Sequence, residues 1–335
     1  LKHIFVTGGT GFVGHVLIPL LLLRGWNVKI GVRNEEGLGR LPKGASGVVT
    51  GDLCFITDWK PLLDGVDAVV HLAARVHQMN EDQRNSQDAY RRMNVKVTQD
   101  LAIAASKAGV RRFVFISSVK AMGESTSPGE RWDEASPCFP QDAYGRSKWE
   151  AEQLLMNVRH KMGLEVVVLR PPLVYGPRMK GNMPRLLGWV DRGWPLPFGG
   201  VGNLRSLLYV GNLVNVICVT LNHPDTLSET FLVSDGEDVS TTELIRRIAS
   251  ALGRPARLFS VPPPLLRLAG KFTGKSAEMD RLLGSLVVDN SKIGRILNWD
   301  PPYSFDKCLK ETVNEYLINL TSNRVQNRMN SVGRP

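Results

Sequence analysis

Near the start of the chain, Thr7-Gly8-Gly9-Thr10-Gly11-Phe12-Val13-Gly14 stands between a short strand-like run, Ile4 to Thr7, and a helical apolar run, Val13 to Arg24. Few architectures use glycines at the spacing of Gly8, Gly11 and Gly14 there. Lacking a Cβ, Gly8 permits a tight turn, Gly11 lets the backbone approach a pyrophosphate, and Gly14 allows the helix to pack closely on the strand. The N-terminus of the helix offers free N–H groups and the positive end of its dipole to phosphates. Strand, turn and helix in this order predict a dinucleotide site, with Gly8, Gly11, Phe12, Val13 and Gly14 as its phosphate cradle.

The following segments fit that start. Strand-like runs at Val28 to Val32, Gly47 to Thr50, Ala68 to Leu72, Arg112 to Ser117 and Val166 to Leu169 alternate with longer stretches. Tyr90 to Lys107 and Tyr144 to Met162 carry helical periodicity. This alternation predicts an α/β fold, a Rossmann-type doubly wound parallel sheet over residues 1–172, with its ligand crevice at the strands' C-terminal ends. From Pro171 and Pro172 onward, Gly176, Pro177, Pro184, Pro195 and Pro197 break the pattern. A smaller mixed substrate-binding region is therefore expected over residues 173–320, some of its segments returning to the sheet. The polar stretch 321–335 is expected to be a mobile tail. A chain of 335 residues suits such a large and small pair.

The end of the second strand, Ile30-Gly31-Val32-Arg33, lacks the carboxylate that usually accepts the ribose hydroxyls of NAD. A guanidinium at Arg33 suits a 2′-phosphate, so NADP(H) is favoured over NAD(H), which stays possible. Arg40 either assists or is a solvated loop charge. Asp52, beside Leu53 at the end of the third strand, is placed for the adenine amino group.

Tyr144-Gly145-Arg146-Ser147-Lys148 sets a phenol and an ammonium four residues apart, hence on one helix face. An adjacent cation lowers the pKa of a tyrosine, and Lys148 is also placed to hold the nicotinamide ribose. Upstream, a strand runs into Ser117-Ser118, where a hydroxyl is able to bond the reacting oxygen. A lone Tyr-x-x-x-Lys is weak evidence. Together with the glycine turn and the serine pair it predicts dehydrogenase chemistry.

These residues resemble the extended short-chain dehydrogenase/reductases, in the branch of nucleotide-sugar epimerases, dehydratases and reductases. The resemblance runs to about Tyr316 through TGGTGFVG, Gly51-Asp52-Leu53, His71-Leu72-Ala73-Ala74, Asn94, the SSV containing Ser118, YGRSK, and RPPLVYGP at Arg170 to Pro177. It implies Ser118, Tyr144 and Lys148 as the catalytic group, and Leu53, Leu72, Ala73, Ala74 and Asn94 as further cofactor contacts. It implies Arg205 as the diphosphate-binding arginine. The dehydratases' Asp-Glu pair is replaced by Val119-Lys120, which speaks against dehydration. Leu173 stands where familiar epimerases have Asn. Asn182 is the substitute candidate for a substrate contact, or else a turn residue after Gly181.

ISSVKAMGE, YGRSKWEAEQ and LVSDGEDVS further resemble the subgroup whose reductases make UDP-N-acetylquinovosamine in surface-polysaccharide and O-antigen synthesis. The resemblance implies an NADPH-dependent 4-ketoreductase of a UDP-4-keto-6-deoxy-N-acetylhexosamine. A UDP-glucose or UDP-N-acetylglucosamine 4-epimerase with bound NAD is the alternative. A redox-sensing, non-enzymatic Rossmann regulator would be expected to lack the Tyr/Lys pair. The formal charge of +10 implies anionic partners. Its cations are dispersed without a nucleic-acid motif, so a nucleotide-diphosphate sugar is expected and nucleic acid is not.

The apolar run Val16 to Leu23 contains Pro19 and falls short of the ~20 residues that span a bilayer. The stretch Pro264 to Phe272 reads as a packed helix or, alternatively, as a membrane-surface contact. Four scattered cysteines give no metal spacing. Lys2 to Thr7 already reads as fold, so no secretory signal, a cytoplasmic location and, from the family, a homodimer are expected.

Overall fold

The computed structural model describes residues 2–76, 83–224 and 228–332. Strands β1 (His3–Thr7), β2 (Asn27–Val32), β3 (Ser46–Val49), β4 (Ala68–His71), β5 (Arg112–Ile116) and β6 (Glu165–Arg170) lie within a residue of the expected ones. β7 (Leu173–Tyr175), β8 (Arg205–Tyr209), β9 (Thr230–Leu232) and β10 (Asp238–Val239) follow. A seven-stranded sheet has the order β3-β2-β1-β4-β5-β6-β9, and all its pairs are parallel. Strand order reverses between β1 and β4, which opens the crevice where the glycine turn and the Leu72–Ala74 loop leave the sheet.

Alternation along each strand feeds both faces. Ile4, Val6, Val70, Val114 and Val167 meet Leu17 and Leu21 of helix Phe12–Leu23 and Val214 and Ile217 of helix Val210–Asn222. Phe5, Val69, Phe113 and Val166 meet Leu101 of helix Val97–Lys107 and Ala151 and Leu155 of helix Ala143–Met162. A separate core lies over a three-stranded sheet, β10-β8-β7, against helices Asn182–Asp191, Thr241–Ala251 and the start of Phe305–Val332. β9 belongs to the main sheet although it lies between β8 and β10 in sequence.

Two helices differ from expectation. Tyr90 to Lys107 is not one α-helix: Gln83–Tyr90 is α-helical, Arg91–Lys96 winds as a π-helix, and α-winding resumes at Val97. The wider turn brings Asn94 and Val95 inside. Residues 321–332, expected as a tail, continue helix Phe305–Val332 in backbone. No glycine or proline interrupts them, and the helix is already anchored by buried Phe305, Cys308, Leu309 and Val313.

Candidate active site

The glycine turn is closed by Gly11 N–H donating to Gly8 O at 3.0 Å, and the helix from Phe12 starts with no side-chain cap. Gly8 has φ 69°, and a Cβ there would stand 2.7 Å from Ala73 N, so the loops after β1 and β4 touch backbone to backbone. A Cβ at Gly14 would lie 2.3 Å from Gly9 O. Gly11 is exposed and faces only Gly8 O, at 3.1 Å from its Cβ direction. A side chain would fill this cradle; a pyrophosphate fits it. Phe12 and Val13 turn into the apolar cores, which confines any contact they make with phosphate to backbone N–H groups.

Behind the turn runs a buried hydrogen-bond chain with one direction. Thr98 Oγ1 donates to Asn94 O (2.7 Å) and so accepts from His71 Nε2 (2.9 Å). His71 Nδ1 then accepts from Thr7 Oγ1 (2.6 Å), which in turn accepts Ala73 N–H (3.3 Å). Burial, helped by the Lys148 charge, pushes His71 down to about 3 and keeps it neutral. Asn94 was expected at the cofactor, yet both ends of its amide engage protein groups. Its Oδ1 accepts Arg75 N–H (2.7 Å), and its Nδ2 donates to Arg75 O (3.0 Å) and Ser147 Oγ (2.9 Å). It fastens the loop after β4 to the helix that carries Tyr144.

That helix is capped by Asp142, which accepts Gly145 N–H at 2.6 Å. A Cβ at Gly145 would be 2.3 Å from Lys120 O, so the helix presses on the turn Val119–Ala121 after β5. This contact sets Ser118 near enough to Tyr144 for its hydroxyl to oppose the rise of the phenol's pKa. Lys120 Nζ joins the two segments, 2.8 Å from Glu124 and 2.5 Å from Asp142.

One turn on, buried Lys148 donates from Nζ to Ile116 O at 2.8 Å and lies 5.9 Å from the centre of the Tyr144 ring. Burial lowers Lys148 to about 7, with Glu152 opposing, and raises the Tyr144 phenol, with Ser118 opposing. The expected lowering of Tyr144 by an adjacent cation is therefore not what this arrangement does. The ammonium faces a carbonyl and the phenol keeps its proton.

Below them Glu152 pairs with Arg170 at 2.6 Å, both buried, and accepts from Ser117 Oγ. The sequence reading passed over Glu152, although 144, 148 and 152 share one helix face.

A cleft of about 650 Å³ lies beside the loop after β4, lined among others by Arg33, Asp52, Ala74, Arg92 and Met93. Arg33 is exposed there, and Asp52 Oδ1 accepts Cys54 N–H at 3.0 Å. Leu53 packs beneath it and Leu72 against the opposite core. Arg92, not anticipated, comes from the π-helix. Arg40 pairs with exposed Glu36, as a solvated charge does.

On the substrate side, Arg205 at the start of β8 donates from Nη1 to Arg281 O (2.8 Å) and Gly284 O (3.1 Å). Burial and then the Arg281 charge lower its pKa, with Glu124 opposing, so the Arg281 charge acts on Arg205. Arg281 was also missed. Asn182 is exposed on the first turn of its helix after Gly181, and no contact among the described residues joins it to Ser118 or Tyr144. Leu173 is half exposed at the start of β7.

The family model described as the NAD dependent epimerase/dehydratase family matches residues 4–234. A UDP-glucose 4-epimerase of Vibrio cholerae is 40% identical over 322 residues, 94% of this chain and 96% of its own. An N-acetyl-alpha-D-glucosaminyl-diphospho-ditrans,octacis-undecaprenol 4-epimerase of Escherichia coli O157:H7 is 29% identical over 266 residues, 75% of this chain and 78% of its own. Among solved structures, a UDP-glucuronic acid 4-epimerase from Bacillus cereus in complex with NAD has a TM-score of 0.76 at 22% identity, covering 95% of this chain and 99% of that one.

Proposed function

Because the chain belongs to the NAD dependent epimerase/dehydratase family, we propose that it is a nicotinamide-dependent oxidoreductase of nucleotide-diphosphate sugars, an NADPH-dependent 4-ketoreductase of a UDP-4-keto-6-deoxy-N-acetylhexosamine. The observation that carries this reading is the convergence on one buried phenol: Lys148 Nζ lies 5.9 Å from the centre of the Tyr144 ring and bonds Ile116 O at the end of β5, two residues before Ser118, whose hydroxyl acts on the Tyr144 phenol. Such a phenol is set to give a proton to an oxygen that gains charge, as reduction of a ketone requires. When bound, the nicotinamide supplies the hydride. Ser118 Oγ would orient the substrate oxygen, Tyr144 Oη would deliver the proton, and Lys148 Nζ, which bonds Ile116 O, would be the group that holds the nicotinamide ribose.

The residues that would hold the dinucleotide are the N–H groups of the glycine turn, Asp52 at the adenine and Arg33 at a 2′-phosphate. Arg33 and Arg92 on one cleft support NADPH over NADH. Arg205, with Arg281 whose charge acts on it, would hold the diphosphate of the sugar nucleotide, a dianion that relieves their mutual repulsion.

A second reading, a UDP-hexose 4-epimerase that retains its NAD, is favoured by the 40% identity to the Vibrio cholerae UDP-glucose 4-epimerase. One pair of incubations separates the two. With UDP-4-keto-6-deoxy-N-acetylglucosamine, NADPH absorbance should fall in proportion to the sugar consumed. With UDP-glucose or UDP-N-acetylglucosamine and no added reductant, no 4-epimer should form. Rapid epimer formation with no NADPH oxidation on the keto sugar would overturn the reductase in favour of the epimerase.

A further inference from the structure

Residues 244–277 contain seven Lys or Arg and no Asp or Glu; Arg246, Arg247 and Arg254 pair with acids outside the segment, whereas Arg267, Lys271 and Lys275 lie at or beside one short helix. Within them lies helix Pro263–Phe272, started by prolines at its first positions. Only Leu266 and Gly270 are buried in it. Leu265, Leu268 and Phe272, spaced three and four apart, share the opposite face and are 56%, 49% and 83% exposed. Arg267 and Lys271 flank this stripe on one side, and Lys275 follows one turn on.

Among the described residues, Lys271 and Lys275 have no ion-pair partner. Arg267 reaches only Asp280, at 3.7 Å, with both side chains largely exposed. Water is a poor neighbour for a Phe at 83% exposure, and cations beside apolar side chains match a surface that is anionic outside and apolar just beneath. A polyanion such as nucleic acid would answer the cations and leave the leucines and Phe272 wet.

We propose that the face of helix Pro263–Phe272 made by Leu265, Leu268 and Phe272, flanked by Arg267, Lys271 and Lys275, docks on the surface of an anionic phospholipid bilayer. Contact at the surface is all that is needed: among the described residues no helix is long and apolar enough to cross a membrane. The position in the fold gives the docking a use. Helix Ser276–Leu283, which carries Arg281, packs directly behind, and a Cβ at Gly270 would stand 2.7 Å from Met279. Docking therefore sets the Arg205–Arg281 end of the site within about one helix diameter, ~10 Å, of the bilayer. The docking does not depend on which sugar the enzyme takes.

The test is co-sedimentation of the full chain with vesicles of phosphatidylcholine alone or mixed with phosphatidylglycerol, with NADPH binding followed as a sign of intact fold. The wild type should sediment with the mixed vesicles, not with the neutral ones, and lose binding as salt is raised. Leu268→Ser/Phe272→Ser and, separately, Lys271→Glu/Lys275→Glu should each weaken it roughly tenfold or more while NADPH binding is kept. The proposal is overturned by equal sedimentation of wild type and variants, by no sedimentation of the wild type, or by pelleting without vesicles, which would make the face a contact between copies of the chain.

Discussion

Tyr144 illustrates how far a single side chain's role depends on its surroundings. On the proposed reading it is the proton donor: burial raises its phenol, so it meets the substrate protonated, and Ser118 opposes that rise. Tyr144→Phe should lower kcat by about two orders of magnitude or more and leave the Kd for NADPH nearly unchanged, since only the proton is removed. An unaltered kcat would take Tyr144 out of the mechanism. At the far end of the same crevice, Arg33→Ala should weaken NADPH by about 1–3 kcal/mol and hardly affect NADH, the size of a lost charge-assisted contact. Titration with both cofactors decides, and equal losses would remove Arg33 from the 2′-phosphate. Spacing, together with the glycine turn, nominated Tyr144, Lys148 and the Ser117-Ser118 pair, and the family resemblance chose Ser118. It did not reveal that Lys148 faces Ile116 O or that Asn94 engages Arg75 and Ser147, because those partners are set by burial and by chain segments far apart in sequence.

Among the elements, β1, β4 and the π-helix are locked by the chain from Ala73 N–H through Thr7, His71 and Thr98 to Asn94 O. His71 has its folded-state pKa lowered from 6.5 to about 3. Between those values the unfolded chain takes up a proton that the folded one refuses, so stability is lost as pH falls from about 6.5 toward 3. Urea unfolding across that window should show a shallower pH dependence for His71→Gln than for the wild type. Identical slopes would mean that His71 is protonated in place. The strands were readable because β-branched runs buried on both faces have a strong local signature, as in Val28 to Val32. The π-helix was not, since Tyr90 to Lys107 contains no breaker and one extra residue per turn leaves local periodicity almost unchanged.

For the whole molecule, the glycine turn and the alternation after it were enough to give the doubly wound sheet and its crevice. The region from Leu173 was less readable. Its strands are short, prolines interrupt it, and β9 joins β6 through pairing over a long sequence separation that no window detects. Besides the crevice, Arg267, Lys271 and Lys275 gather around the apolar face of helix Pro263–Phe272. Lys148 reaches Ile116 O at the end of β5 beside Tyr144 and two residues before Ser118, and the central claim is that a ketone at C4 of a sugar nucleotide is reduced there. NADPH carrying deuterium at both positions of nicotinamide C4, incubated with UDP-4-keto-6-deoxy-N-acetylglucosamine, tests it directly by mass spectrometry of the product. The account predicts one deuterium at C4 of each sugar formed, and none with Tyr144→Phe beyond its residual turnover. A product without deuterium, or a keto sugar left unreduced with the label still on the cofactor, would contradict it.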